Sequence, residues 1–302
     1  MNRIYRLQAV RSSSSFGVIV AVVFLTILLS AGISRAEPVI NRVTQEGVLA
    51  IGVRTDAFPF SYFDAQGQPA GFSIDLVARM KQRLESKLGR SVRFQFVEVN
   101  PANRYDTLQQ GKMELLCDST SFSRSRAMNA QFSIGYFQTG TQLLVKEGNT
   151  FGNQFRIGVI SGTTNADSVK RRLAFAEFVD LPDRATGMQA LERNRIDALA
   201  SDGILLEAMR RTSSEPDRLT VIPRTPYDEQ TYACLLPPGN DRFQAAVNAT
   251  LTDFMQGVLD QNPEDLALFD RWFGATGVVP IDREPVLDFF RRIVEAGDNS
   301  NL

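Results

Sequence analysis

The stretch Asn103–Tyr136, NRYDTLQQGKMELLCDSTSFSRSRAMNAQFSIGY, decides the fold class of this chain. Its first part, Arg104–Gln110, has the pattern of a short helix and stops at Gly111, a residue type that commonly ends helices. An apolar run, Met113–Cys117, follows and predicts a short buried strand. Three hydroxyl side chains come directly after that strand, namely Ser119, Thr120 and Ser121. A helix, a strand and a polar strand end in this order are typical of an α/β fold.

Arg126 follows the hydroxyl cluster by five residues. In open α/β sheets, ligands bind outside the carboxyl ends of the strands. Hydroxyl groups at such an end donate and accept hydrogen bonds, and an arginine grips a carboxylate with two parallel ones. This chemistry favours the binding of a free amino acid over catalysis. The alternative for Arg126 is a solvated surface arginine, which is the usual place of that residue type.

The N-terminus has the features of a secretory signal peptide. A basic start with Arg3, Arg6 and Arg11 precedes the apolar run 16–30, and the small residues of 34–36 offer a cleavage site. The apolar run is shorter than the ~20 residues that span a bilayer. We therefore expect cleavage near Ala36 and export to the periplasm. The alternative is a retained membrane anchor.

Length and charge limit the classes of protein to which the mature chain can belong. Residues 1–36 contain four Arg and no acid, so their removal takes the formal net charge from −1 to −5. A mildly acidic chain without a basic run gives no support to nucleic-acid binding. The remaining length fits one large domain or two lobes with sizeable cores.

The chain contains no histidine and two cysteines, Cys117 and Cys234. The absence of histidine removes the commonest general base and the commonest metal ligand, so we expect neither a metal nor a cofactor. Asp and Glu remain, and catalysis by them stays open. In an oxidising compartment an even number of cysteines favours a disulfide, with two buried thiols as the alternative.

Apolar runs and amphipathic segments predict a β-α-β-α-β unit that is followed by a second unit of the same kind. The predicted strands are Leu49–Val53, Val92–Val97, Met113–Cys117, Arg156–Ile160, Phe178–Asp180, Ile196–Ala200 and a strand near Thr231. The predicted helices beside Arg104–Gln110 are Ser73–Leu88, Ala166–Phe175, Thr186–Arg193, Gly203–Arg211, two within residues 231–272 and Glu284–Ala296.

Two α/β units in one chain predict two lobes. If Cys117 and Cys234 are bonded, the strand near Thr231 lies beside the strand that ends at Cys117, and the second unit is inserted within the first. Lobe I then comprises residues 37–139 and 229–302, and lobe II residues 140–228. The chain crosses between them near Gly140 and near Pro226, which makes a hinge with a cleft beside it.

Five stretches, taken in order, resemble one known family. They are VRTDAFPFSYFDAQGQPAGFSIDL, NRYDTLQQGKMELLCDSTSFSRSRAMNAQFS, ISGTTN, ALERNRIDALASD, and the region from TYACLLPPGNDRFQAAVN to DRWFG, and they cover most of residues 48–274. The family is that of the periplasmic solute-binding proteins of polar amino acid ABC transporters (family 3), and the resemblance is to its glutamate/aspartate-binding members. It implies a two-lobed type II periplasmic-binding fold, in which each lobe is a mostly parallel sheet flanked by helices and the ligand lies in the inter-lobe cleft.

The resemblance implies roles for individual residues. It places a disulfide between Cys117 and Cys234. The residues implied to bind ligand are Arg126 for the α-carboxylate with Ser119, Ser121, Thr163 and Thr164, Asp202 for the α-ammonium, and Arg54 and Arg104 for a side-chain carboxylate. Two positions depart from the glutamate binders: Pro101 stands where they have a serine, and Arg184 where they have a histidine.

Each implied role has a simpler structural alternative. Thr163 and Thr164 are suited to cap a helix, and Asp202 is suited to cap the helix that begins after it. Arg54 has Asp56 and Asp75 as surface partners within reach of a local ion pair.

Arg104 is a candidate surface charge at a helix start. Phe58, Phe60 and Tyr62 are candidates for the core, and one of them for a ring that stacks on the ligand.

The leading functional hypothesis is a binding protein without enzyme activity. It captures an acidic amino acid, glutamate or aspartate, closes two lobes on it, and contacts a membrane permease as a monomer. An enzyme on the same fold, such as a dehydratase, is a second hypothesis. Its candidate acids or bases are Glu98 and Asp118, which we expect near the cleft. A ligand-sensing ectodomain is a third.

Overall fold

The computed structural model of the protein describes residues 39–148 and 155–299. All of these residues belong to one compact unit, Pro38–Leu302. The predicted signal segment and its cleavage site near Ala36 lie outside the described residues. No helix among the described residues is both long enough and apolar enough to cross a membrane.

The described part of the chain contains nine α-helices, and all the helices predicted from the sequence are among them. They are α1 (Val39–Glu46), α2 (Phe72–Leu88), α3 (Arg104–Gln109), α4 (Thr164–Arg172), α5 (Arg184–Glu192), α6 (Gly203–Thr212), α7 (Asp241–Leu259), α8 (Pro263–Phe273) and α9 (Glu284–Asn299). Helix α1 was not predicted. Helix α4 begins two residues before its predicted start because the Thr163 hydroxyl caps it, accepting a hydrogen bond from Ala166 N.

Ten strands are present in the same residues. They are β1 (Val48–Arg54), β2 (Tyr62–Phe63), β3 (Pro69–Ala70), β4 (Arg93–Val99), β5 (Gln131–Lys146), β6 (Arg156–Ile160), β7 (Glu177–Leu181), β8 (Ala198–Asp202), β9 (Leu219–Ile222) and β10 (Glu229–Leu236). A six-stranded sheet has the order β10-β5-β8-β6-β7, with β9 also paired to β5. Strands β1 and β4 form a separate parallel pair, and β2 and β3 form a hairpin.

Strand β5 is the longest strand and was not predicted. Its first half pairs with β10 through Gly140, and its second half pairs with β8 and β9 from Thr141 onwards. Its burial does not alternate residue by residue, so the two-residue period that marks a half-buried strand is missing from its sequence. The expected crossing near Gly140 therefore lies inside a continuous strand.

The predicted strand Met113–Cys117 is wrong. This segment makes only isolated bridges, a parallel one from Leu115 to Ile51 of β1 and an antiparallel one from Leu116 to Leu235 of β10. It passes between two strands and changes partner after one residue, so no continuous ladder forms. The apolar run that suggested a strand is still buried, because both neighbouring strands cover it.

The buried apolar side chains form four clusters. Two clusters come from what we call the outer segments, residues 39–139 and 229–299, and two from the middle segment, residues 140–148 and 155–228. Helix α6 of the middle segment is an exception, because Ile204, Leu205 and Ala208 pack into a cluster of the outer segments.

The predicted disulfide between Cys117 and Cys234 is confirmed. The two Cα atoms are 4.2 Å apart, and the bond closes a sequence separation of 117 residues. It ties the segment before the hydroxyl cluster to β10, at the place where Leu116 and Leu235 also bridge. Asp118, the residue after Cys117, pairs with Arg54 at the carboxyl end of β1.

Candidate functional site

One cavity collects all eight side chains that the sequence singled out for ligand binding. Its lining consists of Arg54, Arg104, Ser119, Ser121, Arg126, Thr163, Thr164, Asn165, Arg184 and Asp202. These residues come from the carboxyl ends of β1 and β8, from the loop after Cys117, and from the first turns of α3, α4 and α5. The cavity volume is only about 10 Å³, room for about one water molecule. It is therefore far smaller than the ~300–1,000 Å³ of sites for drug-sized molecules, and its walls lie close together.

Arg104 is a buried cation in the cavity wall without a protein counter-charge in contact with it. It is only 2% exposed, and its Nε atom has no hydrogen-bond partner. It forms no ion pair with any carboxylate that the structure describes, and its guanidinium lies over the ring of Tyr105 at 5.2 Å. Burial, helped by repulsion from Arg54, lowers the pKa of Arg104 to about 10. The surface-charge alternative is therefore wrong, and this buried cation calls for an anion.

Ser119 lines the same cavity and has a second polar atom without a partner. Its Oγ atom is buried without a partner, as is Oγ1 of Thr120. Buried hydroxyl groups are normally hydrogen-bonded, so the unpaired hydroxyl of Ser119 at the cavity wall indicates a place for a polar ligand atom. Ser121, the third hydroxyl of the cluster, is buried on the same wall.

Arg126 is half-buried at the edge of the cavity. Its Nη1 donates to the carbonyl of Ser121 at 2.9 Å, and its Nη2 donates to the carbonyl of Gly162 at 3.0 Å. The first carbonyl belongs to the outer segments and the second to the middle segment. No carboxylate among the described residues forms an ion pair with it, so no protein anion directly offsets its charge at the cavity.

Arg54 is fully occupied by protein carboxylates. Its Nε and Nη2 donate to Asp56 Oδ1 at 3.0 and 2.5 Å, and its Nη1 donates to Asp118 Oδ2 at 2.9 Å. Burial acts to lower the pKa of Arg54, but the two carboxylates outweigh it and raise that pKa. The alternative of a surface pair therefore names the right partner, Asp56, but the pair is buried rather than on the surface. Asp75 instead accepts from the indole of Trp272.

Arg184 reaches the same network from the other side of the cavity. Its Nη1 donates to Asp56 Oδ2 at 2.8 Å, and its Nε donates to Ser201 Oγ at 2.8 Å. Arg184 begins α5 in the middle segment, whereas Asp56 follows β1 in the outer segments. Burial acts to raise the pKa of Asp56, but Arg184 and Arg54 together hold it below its ordinary value. The other departing residue, Pro101, is buried before α3 and does not line the cavity.

Asp202 ends β8 with its carboxylate in the cavity wall. Its side chain does not cap α6, so the capping alternative is wrong. Oδ1 accepts a hydrogen bond from Asn165 Nδ2 at 3.1 Å, and the same amide donates to Thr141 at 3.1 Å. Burial raises the pKa of Asp202, against the opposing attraction of Arg184. A buried carboxylate that forms no ion pair with a described residue is suited to a cationic ligand group.

The first turn of α4 supplies the remaining wall. Thr163 caps the helix, so the capping alternative is right for this residue, and its hydroxyl also donates to the Ile160 carbonyl at 2.7 Å. Thr164 is half-buried beside it and lines the cavity. The free N–H groups at the start of a helix attract anions, so this wall adds to the positive potential.

Sequence reasoning did not single out Asn165 or place Asp56 and Arg184 in one network. Asn165 had a signal, since it directly follows two candidate threonines. The candidate rings lie elsewhere, because Phe60 is in the core and Phe58 packs on Tyr62. None of the three lines the cavity.

The two acids considered for an enzyme are placed very differently. Glu98 is exposed on β4 and is not part of the cavity wall, so its expected place near the cleft is wrong. Asp118 is fully buried and paired with Arg54. Neither is a free acid or base that faces the cavity.

Comparisons with known proteins agree with this geometry. The family described as bacterial extracellular solute-binding proteins, family 3, matches residues 49–275. The glutamate/aspartate import solute-binding protein of Escherichia coli strain K12 is 26% identical over 270 residues, 84% of this chain and 87% of that protein. The cyclohexadienyl dehydratase of Pseudomonas aeruginosa is 28% identical over 267 residues, 85% of this chain and 96% of that enzyme.

A solved structure shows the same fold. The ancestral amino acid-binding protein AncCDT-1, described as a precursor of cyclohexadienyl dehydratase, superposes with a TM-score of 0.66 at 21% identity. The match covers 78% of this chain and 99% of that one.

Proposed function

This chain belongs to family 3 of the bacterial extracellular solute-binding proteins and has their type II periplasmic-binding fold, and on that premise we propose that it binds an acidic amino acid and delivers it to a membrane permease. The observation that carries the proposal is the buried guanidinium of Arg104, which forms no ion pair with a described carboxylate and lines a cavity of polar and charged side chains. A ligand that presents a carboxylate there supplies the missing counter-charge.

The other walls of the cavity fit the two charged groups that every free amino acid carries. Arg126 and the start of α4 take the α-carboxylate, and Asp202 takes the α-ammonium. Ser119, Ser121, Thr163 and Thr164 provide hydroxyl groups around the same space.

The charges favour an acidic side chain. Arg54 and Arg184 are already paired with Asp56 and Asp118, which leaves Arg104, Arg126 and Asp202 to meet the ligand. Two cations and one anion match two carboxylates and one ammonium, the charges of glutamate and aspartate. The name of the E. coli relative, a glutamate/aspartate import protein, supports the same ligand class.

Calorimetry against a panel of amino acids tests the ligand class. We expect L-glutamate or L-aspartate to bind, and glutamine, leucine and lysine to bind far more weakly, because each leaves Arg104 unpaired or adds a like charge. Arg104→Gln should remove most of the preference for glutamate over glutamine. Strong binding of a basic or apolar amino acid, with no binding of either acidic one, would refute the acidic assignment.

We further propose that the outer and middle segments are two lobes that close on the ligand, with boundaries near residues 140 and 228. The cavity is lined from both, with Arg54, Arg104 and Arg126 on one side and Asp202 and the α4 threonines on the other. A ligand held by both sides binds the closed state better and shifts the population towards it. Small-angle scattering should show a smaller radius of gyration at saturating ligand, and an unchanged radius would contradict closure.

Binding rather than catalysis is the activity we propose, although one relative is named as a dehydratase. Asp118 is neutralised by Arg54, and Glu98 lies away from the cavity. Mass spectrometry of the ligand recovered after incubation should find it unchanged.

We propose that the chain is exported, cleaved near Ala36 and active as a monomer without a cofactor. The family is described as extracellular, which supports export. N-terminal sequencing of the exported protein checks the cleavage site.

A further inference from the structure

Asp56 is the residue that joins the two paired arginines of the cavity. One of its oxygens accepts from Arg54 Nε and Nη2, and the other accepts from Arg184 Nη1 at 2.8 Å. Its side chain is 8% exposed, and those of Arg54 and Arg184 are 1% and 6% exposed. The three groups are therefore largely removed from water, where charges interact strongly.

The position of this carboxylate is unusual for a purely local ion pair. Asp56 follows β1 in the outer segments, while Arg184 begins α5 in the middle segment, 128 residues later in the chain. The carboxylate thus lies between two guanidinium groups from opposite sides, as an anionic group of a ligand would. It withdraws both cations from the set that can meet a ligand.

The charge of the whole site follows from the groups on its walls. Four guanidinium groups face or adjoin the cavity, those of Arg54, Arg104, Arg126 and Arg184. Three carboxylates accompany them, those of Asp56, Asp118 and Asp202. With all seven ionised, these described groups sum to one positive charge, which a ligand with one net negative charge neutralises.

We propose that Asp56 is a specificity-determining residue that limits the ligand to one net negative charge by neutralising Arg54 and Arg184. This inference rests on the proposed function and deepens it, because it names the net charge of the ligand and the residue that sets it. Loss of the Asp56 charge leaves two guanidinium groups with a single carboxylate, Asp118. The site then favours a ligand with one more carboxylate.

The test is a series of ligands that differ by one charge: L-glutamine, L-glutamate and L-4-carboxyglutamate. We expect Asp56→Asn to shift the ratio of affinities for 4-carboxyglutamate and glutamate towards the former by roughly tenfold or more. Asp64→Asn is the control, since Asp64 lies in the same segment, its carboxylate accepts from the main-chain Gln66 N and Gln68 N, and it is not part of the cavity. It should leave the ratio unchanged.

A second variant tests the opposite sign. Arg184→Gln removes one positive charge while Asp56 keeps its bonds to Arg54, so the ratio of glutamine to glutamate affinity should rise. The double variant Asp56→Asn with Arg184→Gln restores the net charge and should return the preference to glutamate. If Asp56→Asn does not fold, which a thermal melt reveals, the Arg184→Gln ratio decides.

The outcomes separate this inference from the function on which it rests. A purely structural role for Asp56 changes stability and weakens all three ligands by the same factor, leaving the ratios unchanged, and that result overturns the inference. Wild-type protein that binds neither glutamate nor aspartate overturns the proposed function instead. The inference is supported if Asp56→Asn favours the ligand with more negative charge and Arg184→Gln favours the ligand with less.

Discussion

Arg126→Ala should nearly abolish ligand binding while the fold stays intact. The guanidinium faces the cavity, carries no carboxylate partner among the described residues, and donates only to the carbonyls of Ser121 and Gly162. Removing one partner of a desolvated charge pair costs roughly 2–5 kcal/mol, which is roughly 30-fold to several thousand-fold in Kd. Titration calorimetry with the ligand identified in the panel measures this loss.

Two further variants make that result specific. Arg124→Ala is the matched control, because Arg124 is exposed two residues away and does not line the cavity. Arg126→Lys should also bind poorly, since an ammonium cannot form the two parallel hydrogen bonds of a guanidinium. If Arg126→Ala keeps the wild-type affinity, the proposed role of this residue is wrong.

Removal of the disulfide should give the largest loss of stability. The bond between Cys117 and Cys234 closes a sequence separation of 117 residues. In the chain-entropy model, removing the bond raises the conformational entropy of the unfolded state and lowers the free energy of unfolding by about 4–5 kcal/mol. The double variant Cys117→Ala with Cys234→Ala avoids burying unpaired hydroxyls. We expect its melting temperature to fall by roughly 10–20 °C.

Reduction of the wild-type protein provides the control for that measurement. A strong reductant should lower the wild-type melting temperature to near that of the double variant and leave the variant itself unchanged. Unreduced, denatured wild-type protein should contain no free thiol. A decrease of less than about 1 kcal/mol in the free energy of unfolding would show that the long loop is already constrained in the unfolded state.

The order of helices and strands was largely predictable because it depends on local patterns. Strand β6 begins and ends at the predicted residues, Arg156 and Ile160, since a short apolar run between polar residues has few other solutions. Helix α2 starts one residue before its predicted start and ends at Leu88, where Gly89 adopts a left-handed conformation.

Strand β5 and the segment Met113–Cys117 show where local patterns failed. Strand β5 contacts different partners along its two halves, so no single face is buried throughout. The segment before Cys117 is as apolar as a strand but bridges two different strands. In both cases the hydrogen-bond partners come from distant parts of the chain, and a local pattern carries no information about them.

The sequence, with the resemblance that it carries, predicted eight of the ten side chains that line the cavity. Most of the eight candidates lie at strand ends and at helix starts, which local patterns place well, and the resemblance implied their binding roles. The eight candidates were therefore brought together in one cavity as expected. The pairing of Cys117 with Cys234 was predictable for a related reason, because only two cysteines are present.

Only the tertiary structure decided which of those charges are free. Four arginines and three aspartates allow many pairings, and spacing along the chain does not choose among them. The fold places Asp56 and Asp118 around Arg54, brings Arg184 across from α5, and leaves Arg104 buried without an ion pair among the described residues. The reason is physical: away from water, the interaction of two charges depends on their distance in space and on the loss of their hydration, and both are properties of the folded chain.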